Sequence, residues 1–195
     1  MYGRGWLSKK PQEEQEDMND SNTGKKEMTV QQPSLLREFL LLLAKIAVVI
    51  LAVVLLFTFV YGLHRNRDPA MDPAVKDGDL VIYYRLDKHY VFGDTLMLDY
   101  QGSPEVRRVV GTAGDTVDIR EDGLYINGAR QQEASIHEPT HRYETDVDFP
   151  LTLKEGQVFV LGDARENATD SRVYGPVEAK ETRGKVISIF RRRNI

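Results

Sequence analysis

A hydroxyl or thiol that attacks and an amine, imidazole or carboxylate that takes its proton are the usual parts of a hydrolytic site. The chain holds few of them in a suggestive spacing. It has no cysteine among its 195 residues, which removes a thiol nucleophile, a disulfide framework and a thiolate zinc site. His137 and His141 stand four apart, a spacing that would put both imidazoles on one face of a helix. Pro139 lies between them and no third ligand suggests itself, so residues 130–150 read as a surface loop. No metal and no other cofactor is expected. Ser103 falls in a predicted turn, Ser171 sits inside Asp170-Ser171-Arg172, and Lys76 and Lys88 are amines with no hydroxyl partner in view. Asn167-Ala168-Thr169 matches a glycosylation acceptor and reads as coincidence. Four Gly-Asp pairs, Gly78-Asp79, Gly93-Asp94, Gly114-Asp115 and Gly162-Asp163, look like turns, and Asp170 with Arg172 suits a charge-assisted pair.

The elements that must position these residues are mostly strands. Residues 79–84, 94–100, 107–112, 115–119, 124–127, 157–163 and 185–190 are short, rich in β-branched and aromatic residues, and bounded by Gly, Asp or Asn. Asp122-Gly123 and Asn127-Gly128 are good hairpin dipeptides. The fold class expected is mainly β, a mostly antiparallel domain over 65–195 behind one N-terminal transmembrane helix. That helix is read over 35–64, where the stretch from Phe39 to Leu63 is nearly all hydrocarbon. About 25 residues at 1.5 Å each cross the ~30 Å apolar core of a bilayer. Lys45 lies near its amino-terminal end, close enough for the ammonium to reach the interface. The stretch is too long for a cleavable signal peptide and reads as an uncleaved signal anchor.

Residues 1–34 are polar and without apolar periodicity, a disordered cytoplasmic tail whose few hydrophobes cluster at Trp6 and Leu7. Lys25, Lys26, Arg37 and Lys45 on one side of the span nearly balance Arg65, Arg67, Lys76 and Arg85 on the other, so charge alone does not orient it. The net charge of -4 gives no reason to expect nucleic acid as a partner. Arg191, Arg192 and Arg193 make a basic end that is solvated or meets anionic headgroups.

Four stretches, in order behind the anchor, resemble the motif boxes of type I signal peptidases. Ala70-Met71-Asp72-Pro73-Ala74-Val75 followed by Asp77-Gly78-Asp79 is similar to S-M-x-P-T-L and its D-G-D turn, and Gly93-Asp94-Thr95-Leu96-Met97 to the G-D strand entry. Arg107-Arg108-Val109-Val110-Gly111 with Gly114-Asp115 resembles K-R-V-I-G-x-P-G-D. The run from Gly162-Asp163-Ala164-Arg165 through Asn167-Ala168-Thr169-Asp170-Ser171-Arg172 to Gly175 resembles G-D-N-R-x-N-S-x-D-S-R-x-x-G. The resemblance implies a Ser/Lys dyad that cleaves signal peptides, and residue by residue it finds that dyad absent. The nucleophile falls on Ala70, the general base on Arg107, whose guanidinium accepts no proton, and the hydroxyl that orients the base on Ala168. Ala164 replaces the family's asparagine as well. An experimenter trapping a substrate would change the nucleophile alone, so the pattern points to natural loss of catalysis.

What the resemblance still implies is a scaffold held by Gly162, Asp163, Arg165, Asp170, Ser171 and Arg172, and a substrate groove beside Met71, Asp72 and Pro73 where an extended chain lies against strand edges. The expected protein is a single-pass, cell-membrane, non-catalytic relative with its C-terminal domain outside. Inactive relatives are associated with pilus biogenesis in Gram-positive bacteria, so the expected partners are exported proteins, pilin subunits above all, together with membrane lipid and an active signal peptidase or pilus sortase. The competing expectations are an active signal peptidase with an unrecognised dyad and a regulatory partner of one.

Overall fold

The computed structural model describes residues 34–134 and 136–191. All but the last residue of the expected tail, with Trp6, Leu7, Lys25 and Lys26, and the terminal Arg192 and Arg193 lie outside the described residues. Helix α1 runs over Leu35–Leu55 and closes in a π turn over Leu56–Val60. With no Gly or Pro to interrupt it, this stretch contains 18 consecutive residues with a mean hydropathy of 3.2, none of them buried within the protein. Among the described residues it is the helix whose length and composition suit a membrane crossing.

The helix ends earlier than the sequence suggests. Tyr61 is extended, and Tyr61–Arg65 forms strand β1 against β2, Leu80–Tyr84, so residues 61–64 belong to the sheet. Gly62 explains the switch: it is a poor helix former, and its missing side chain lets the Tyr83 ring lie on the backbone, where a Cβ would fall 1.9 Å from Tyr83 Cζ.

The remaining strands are β3 Thr95–Tyr100, β4 Ser103–Gly111, β5 Thr116–Arg120, β6 Gly123–Ile126, β7 Ala129–Arg130, β8 Leu151–Thr152, β9 Gln157–Leu161, β10 Val177–Glu178 and β11 Gly184–Phe190. They form a seven-stranded sheet in the order β1-β2-β11-β3-β4-β9-β10 and a four-stranded sheet β7-β6-β5-β8. The paired strands run antiparallel. One short helix, α2 at Ser171–Tyr174, interrupts the β run.

Period-two alternation divides the strands among three cores. On β9, Val158 and Val160 join Leu96, Leu98, Val109 and Tyr90, whereas Phe159 and Leu161 face the other way onto Val110, Val117, Ile119 and Leu124. Both faces of β9 are thus covered, which is why it reads as an unbroken apolar run. Met97 and Val106 turn into a third cluster with Val81, Tyr83, Val75 and Met71.

The turns divide in the same informative way. Gly78, Gly93 and Gly114 have φ of +86, +87 and +88°, which an L side chain resists. In each case the following aspartate closes the loop, Asp79, Asp94 and Asp115 accepting from the N–H of Lys76, Val91 and Thr112 at 3.0, 2.9 and 2.8 Å. Gly162 is absent from that left-handed set and serves a different purpose, described below. Asn127-Gly128 is a two-residue turn with φ of 53 and 79°, as its dipeptide suggests, and Gln101-Gly102 makes the same turn from a less telling pair. The Asp122-Gly123 reading is off by one: Glu121 and Asp122 turn, and Gly123 opens β6 opposite Arg120.

Gly62→Ala should destabilise the protein by about 1–3 kcal/mol, the usual cost of overpacking, because the Tyr83 ring has to leave its site. Thermal or chemical denaturation against the parent checks this.

Candidate functional site

Position 70 is set by its own neighbours. Asp68 caps the 3₁₀ turn Pro69–Met71, its Oδ1 accepting from Ala70 N–H at 2.9 Å, and Pro69 fills the first position, where no N–H is needed. Ala70 is 1% exposed, and its carbonyl accepts from Ala164 N–H at 3.0 Å. Met71 does not line a groove as the sequence reading placed it. The next position of the tight turn points inward, and its side chain is buried with Val75, Val81, Tyr83, Met97 and Val106. Asp72 and Pro73 are exposed and face a depression of about 560 Å³ shared with Pro69, Glu138, Ala164 and Asn167.

Arg107 comes from β4 and is also 1% exposed. Its Nε donates to Thr169 O at 2.9 Å, and Nη1 donates to Asp68 Oδ2 at 2.7 Å and to Val106 O at 2.6 Å. Nη2 lies 3.0 Å from Glu105 Oε2, close enough for charge attraction but outside hydrogen-bond geometry, so that buried oxygen has no hydrogen-bond partner. Burial therefore raises the Glu105 pKa; Arg107 opposes the shift, and Asp68 and Asp170 add to it.

Ala168 completes the group. Its methyl and the Ala70 carbonyl both press on Gly162, where a Cβ would fall 2.3 Å from Ala168 Cβ and 2.6 Å from Ala70 O. Gly162 is thus a packing glycine. Arg107 ties the residue two before Ala70 to the residue just after Ala168, so the three positions meet at one point. What they bring there is two methyl groups and a guanidinium, with neither an attacking oxygen nor a lone pair to receive a proton.

The surrounding box is a network of buried charge. Asp170 and Arg172, both within 1% exposure, pair through two bonds of 2.9 and 2.8 Å. Asp170 also caps α2 at Arg172 N–H and accepts from Gly162 N–H at 3.0 Å. Arg172 stacks on Tyr143 at 4.2 Å and donates to Arg165 O at 2.6 Å. Arg165 reaches Gly162 O at 2.8 Å and holds Glu133 and Thr140 of the long loop. Asp163 takes two bonds from Arg108, at 2.7 and 2.6 Å.

The other candidates disperse. Ser171 Oγ accepts from Val160 N–H at 3.0 Å and is fully buried. Ser103 is the exposed first residue of β4, not a turn residue. Lys76 lies 3.7 Å from Asp72 on the surface. Lys88 donates to Thr182 O, and burial, helped by Arg85, lowers its pKa. His137 and His141 line separate depressions in a non-helical loop. Among the described residues no group of three or more His, Cys, Asp or Glu is arranged to hold a metal ion.

The two-residue turn at Gln101-Gly102 sets Tyr100 opposite Ser103, so the backbone groups of Ser103, Glu105 and Arg107 point to β3 and those of Pro104 and Val106 point away. β9 joins β4 only from Arg108 onward. An open stretch of strand edge therefore faces a groove of about 690 Å³, walled opposite by Arg65, Arg67, Asp68 and Pro69.

An antiparallel β domain following an apolar helix, with a capped turn, a strand-borne cation and the 162–172 box meeting at one point, defines the class of protein. The profile described as signal peptidase, peptidase S26 matches residues 37–191. Signal peptidase I of Bacillus licheniformis is 29% identical over 159 residues, covering 74% of this chain and 84% of its own. Signal peptidase IB of Staphylococcus aureus (strain Mu50 / ATCC 700699) is 30% identical over 173 residues, covering 77% and 88%. A crystal structure of a signal peptidase I from Enterococcus faecalis V583 aligns at 30% identity over 51% of this chain and 97% of its own, with a TM-score of 0.44. The chain belongs to the signal peptidase, peptidase S26, family.

Two measurements probe the site. Arg172→Met leaves the Asp170 carboxylate buried without its cation and should cost about 3–5 kcal/mol of stability. Glu105 binds its proton more tightly folded than unfolded, so its contribution is present at low pH and is lost as pH rises from the ordinary value of 4.5 through the raised folded value. Glu105→Gln should therefore stabilise the protein at neutral pH and change it little below that window, as denaturation curves across pH will read.

Proposed function

We propose that the protein is a non-catalytic member of the signal peptidase family that holds extended segments of exported proteins, and that it serves as an assembly chaperone for pilin subunits. Ala70 stands where the family has its nucleophile, Arg107 where it has its base, and Ala168 where it has the hydroxyl that orients the base. The observation that carries the reading is the state of Arg107: a buried guanidinium engaged by Asp68, Val106 O and Thr169 O fills the place where a neutral amine would have to work. The helix Leu35–Val60 anchors the protein in the cell membrane, with the β domain on the outer side.

Binding needs none of the lost groups. At the open edge Pro104 O and Val106 N–H point outward toward an incoming extended chain, Val106 O being held by Arg107, and the facing wall confines that chain. The relatives are named as signal peptidases, and an active enzyme is accordingly the competing reading. The chemistry at Ala70 and Arg107 weighs against it.

The test is a binding titration of the full chain with an extended pilin-subunit segment and with the same segment N-methylated at alternate amides. The expected result is a loss of at least about tenfold on methylation in one of the two alternations, since main-chain bonds supply the affinity. Equal binding of all forms overturns strand pairing, and absence of binding by pilin segments alongside binding of other exported segments overturns the pilin assignment.

A further inference from the structure

The wall opposite the open edge of β4 carries more charge than pairing with a backbone requires. Asn66, 1% exposed, pins it: Nδ2 donates to Asp68 O at 2.7 Å and to Lys76 O at 3.1 Å, and the backbone N–H donates to Asp79 O at 2.8 Å. With the Asn66 side chain turned inward, its neighbours Arg65 and Arg67 are exposed, and both line the groove. The charge of Arg67 is felt along the wall, where burial first, and then Arg183 and Arg67, lower the His64 pKa against the pull of Asp99. Both cations are thus presented from a fixed backbone, so only their side chains have to be ordered when a partner arrives.

The carboxylates of the same groove are engaged inward. Asp68 is committed to Arg107 through Oδ2 and to Ala70 N–H through Oδ1. Glu105, its side chain 13% exposed, lies 3.0 Å from the same guanidinium. A chain entering the groove therefore meets the two wall arginines, while the carboxylates face the buried cation. Across the 69–71 turn the pattern changes. Pro69 also borders the depression of about 560 Å³, and the charged residues lining that depression are the acids Asp72 and Glu138. Lys76 approaches Asp72 from outside at 3.7 Å, and Arg191 donates to Pro73 O at 3.1 Å. An acidic side chain thus has its better partners on the groove side of the turn.

We infer that the groove reads charge as well as backbone: Arg65 and Arg67 select client segments that carry an acidic side chain beside the stretch paired with Pro104 O and Val106 N–H. This deepens the proposed function and rests on it. Strand pairing alone is nearly blind to sequence, because every residue but proline offers the same N–H and C=O. The arginines supply the discrimination, attracting acidic segments and disfavouring basic ones. A guanidinium grips a carboxylate with two parallel N–H donors, which adds direction to the attraction. The occupant is a peptide rather than a lipid phosphate, because the cations stand across from a strand edge that an extended backbone completes.

The test uses the full chain in phosphatidylcholine vesicles and short, fluorophore-tagged Ser/Thr/Val peptides in which a single position, walked along the peptide, is Glu, Gln or Lys; binding is read by anisotropy. At a restricted set of positions Glu should bind at least about threefold tighter than Gln, and Lys more weakly than Gln, with the gap narrowing as salt rises. The double variant Arg65→Gln/Arg67→Gln should bring the ratio of Glu to Gln affinities to about one, and Arg65→Glu/Arg67→Glu should make Lys the preferred residue. Peptides that bind while the Glu, Gln and Lys series coincide overturn the charge reading and leave the groove standing. If no peptide binds, the groove reading fails and the inference with it. A Glu preference that survives the double Gln variant overturns the role of the two arginines. If phosphatidylglycerol in the vesicles abolishes the Glu preference, the arginines belong to lipid phosphate and the client reading falls.

Discussion

A positive charge sealed away from water must be answered by nearby oxygen, and Arg107 meets that constraint by drawing three parts of the chain onto itself. Asp68 comes from the turn that holds Ala70, Thr169 from the box that holds Ala168, and Val106 from the strand that carries the arginine. The convergence of positions 70, 107 and 168 is thus a charge-driven assembly. A guanidinium suits it because it donates in several directions from one plane, which a lysine ammonium does less well. The arginine on which the non-catalytic proposal rests also ties the site together.

The second constraint is the Asp170–Arg172 pair with Arg165 beside it. Each arginine satisfies a carboxylate and also backbone carbonyls, and Asp170 takes up the Gly162 N–H that no strand partner claims. Asp163 departs from the other three aspartates of the Gly-Asp pairs, which close their own turns; it faces Arg108 instead. Buried pairs of this kind contribute little net stability but make one arrangement far better than its neighbours, because any slip strands a charge. The long 131–150 loop, without regular structure over most of its length, is kept in place by this means: Glu133 and Thr140 bind Arg165, Thr145 binds Arg172 O, and Glu138 takes the Glu166 N–H.

Much of this was legible in the residues. The strands announced themselves because β-branched alternation and glycine punctuation are local, and Asn127-Gly128 and the three aspartate-closed turns are local too. The Asp170–Arg172 pair was readable for the same reason, two residues apart on one turn. Ala70, Arg107 and Ala168 were legible only through the motif boxes. The meeting of Ala70 and Ala168 at Gly162 and the burial of Arg107 were not, since the Arg107 partners Asp68 and Thr169 lie 39 and 62 positions away. Met71 was misread because a motif residue beside a site looks like a wall, whereas the turn geometry drives it into the core. The helix end was misplaced because Tyr61, Gly62 and Leu63 are as apolar as the span, and only pairing with β2 tells strand from helix.

The central claim is that this member of the family has lost its chemistry and kept its groove. The direct measurement is intact-mass analysis of a pre-protein incubated with the full chain in vesicles at a molar excess of the chain over substrate. The account predicts an unprocessed pre-protein however long the incubation. A mature product with a new amino terminus, abolished by substitution of a single serine or lysine of this chain, would contradict it.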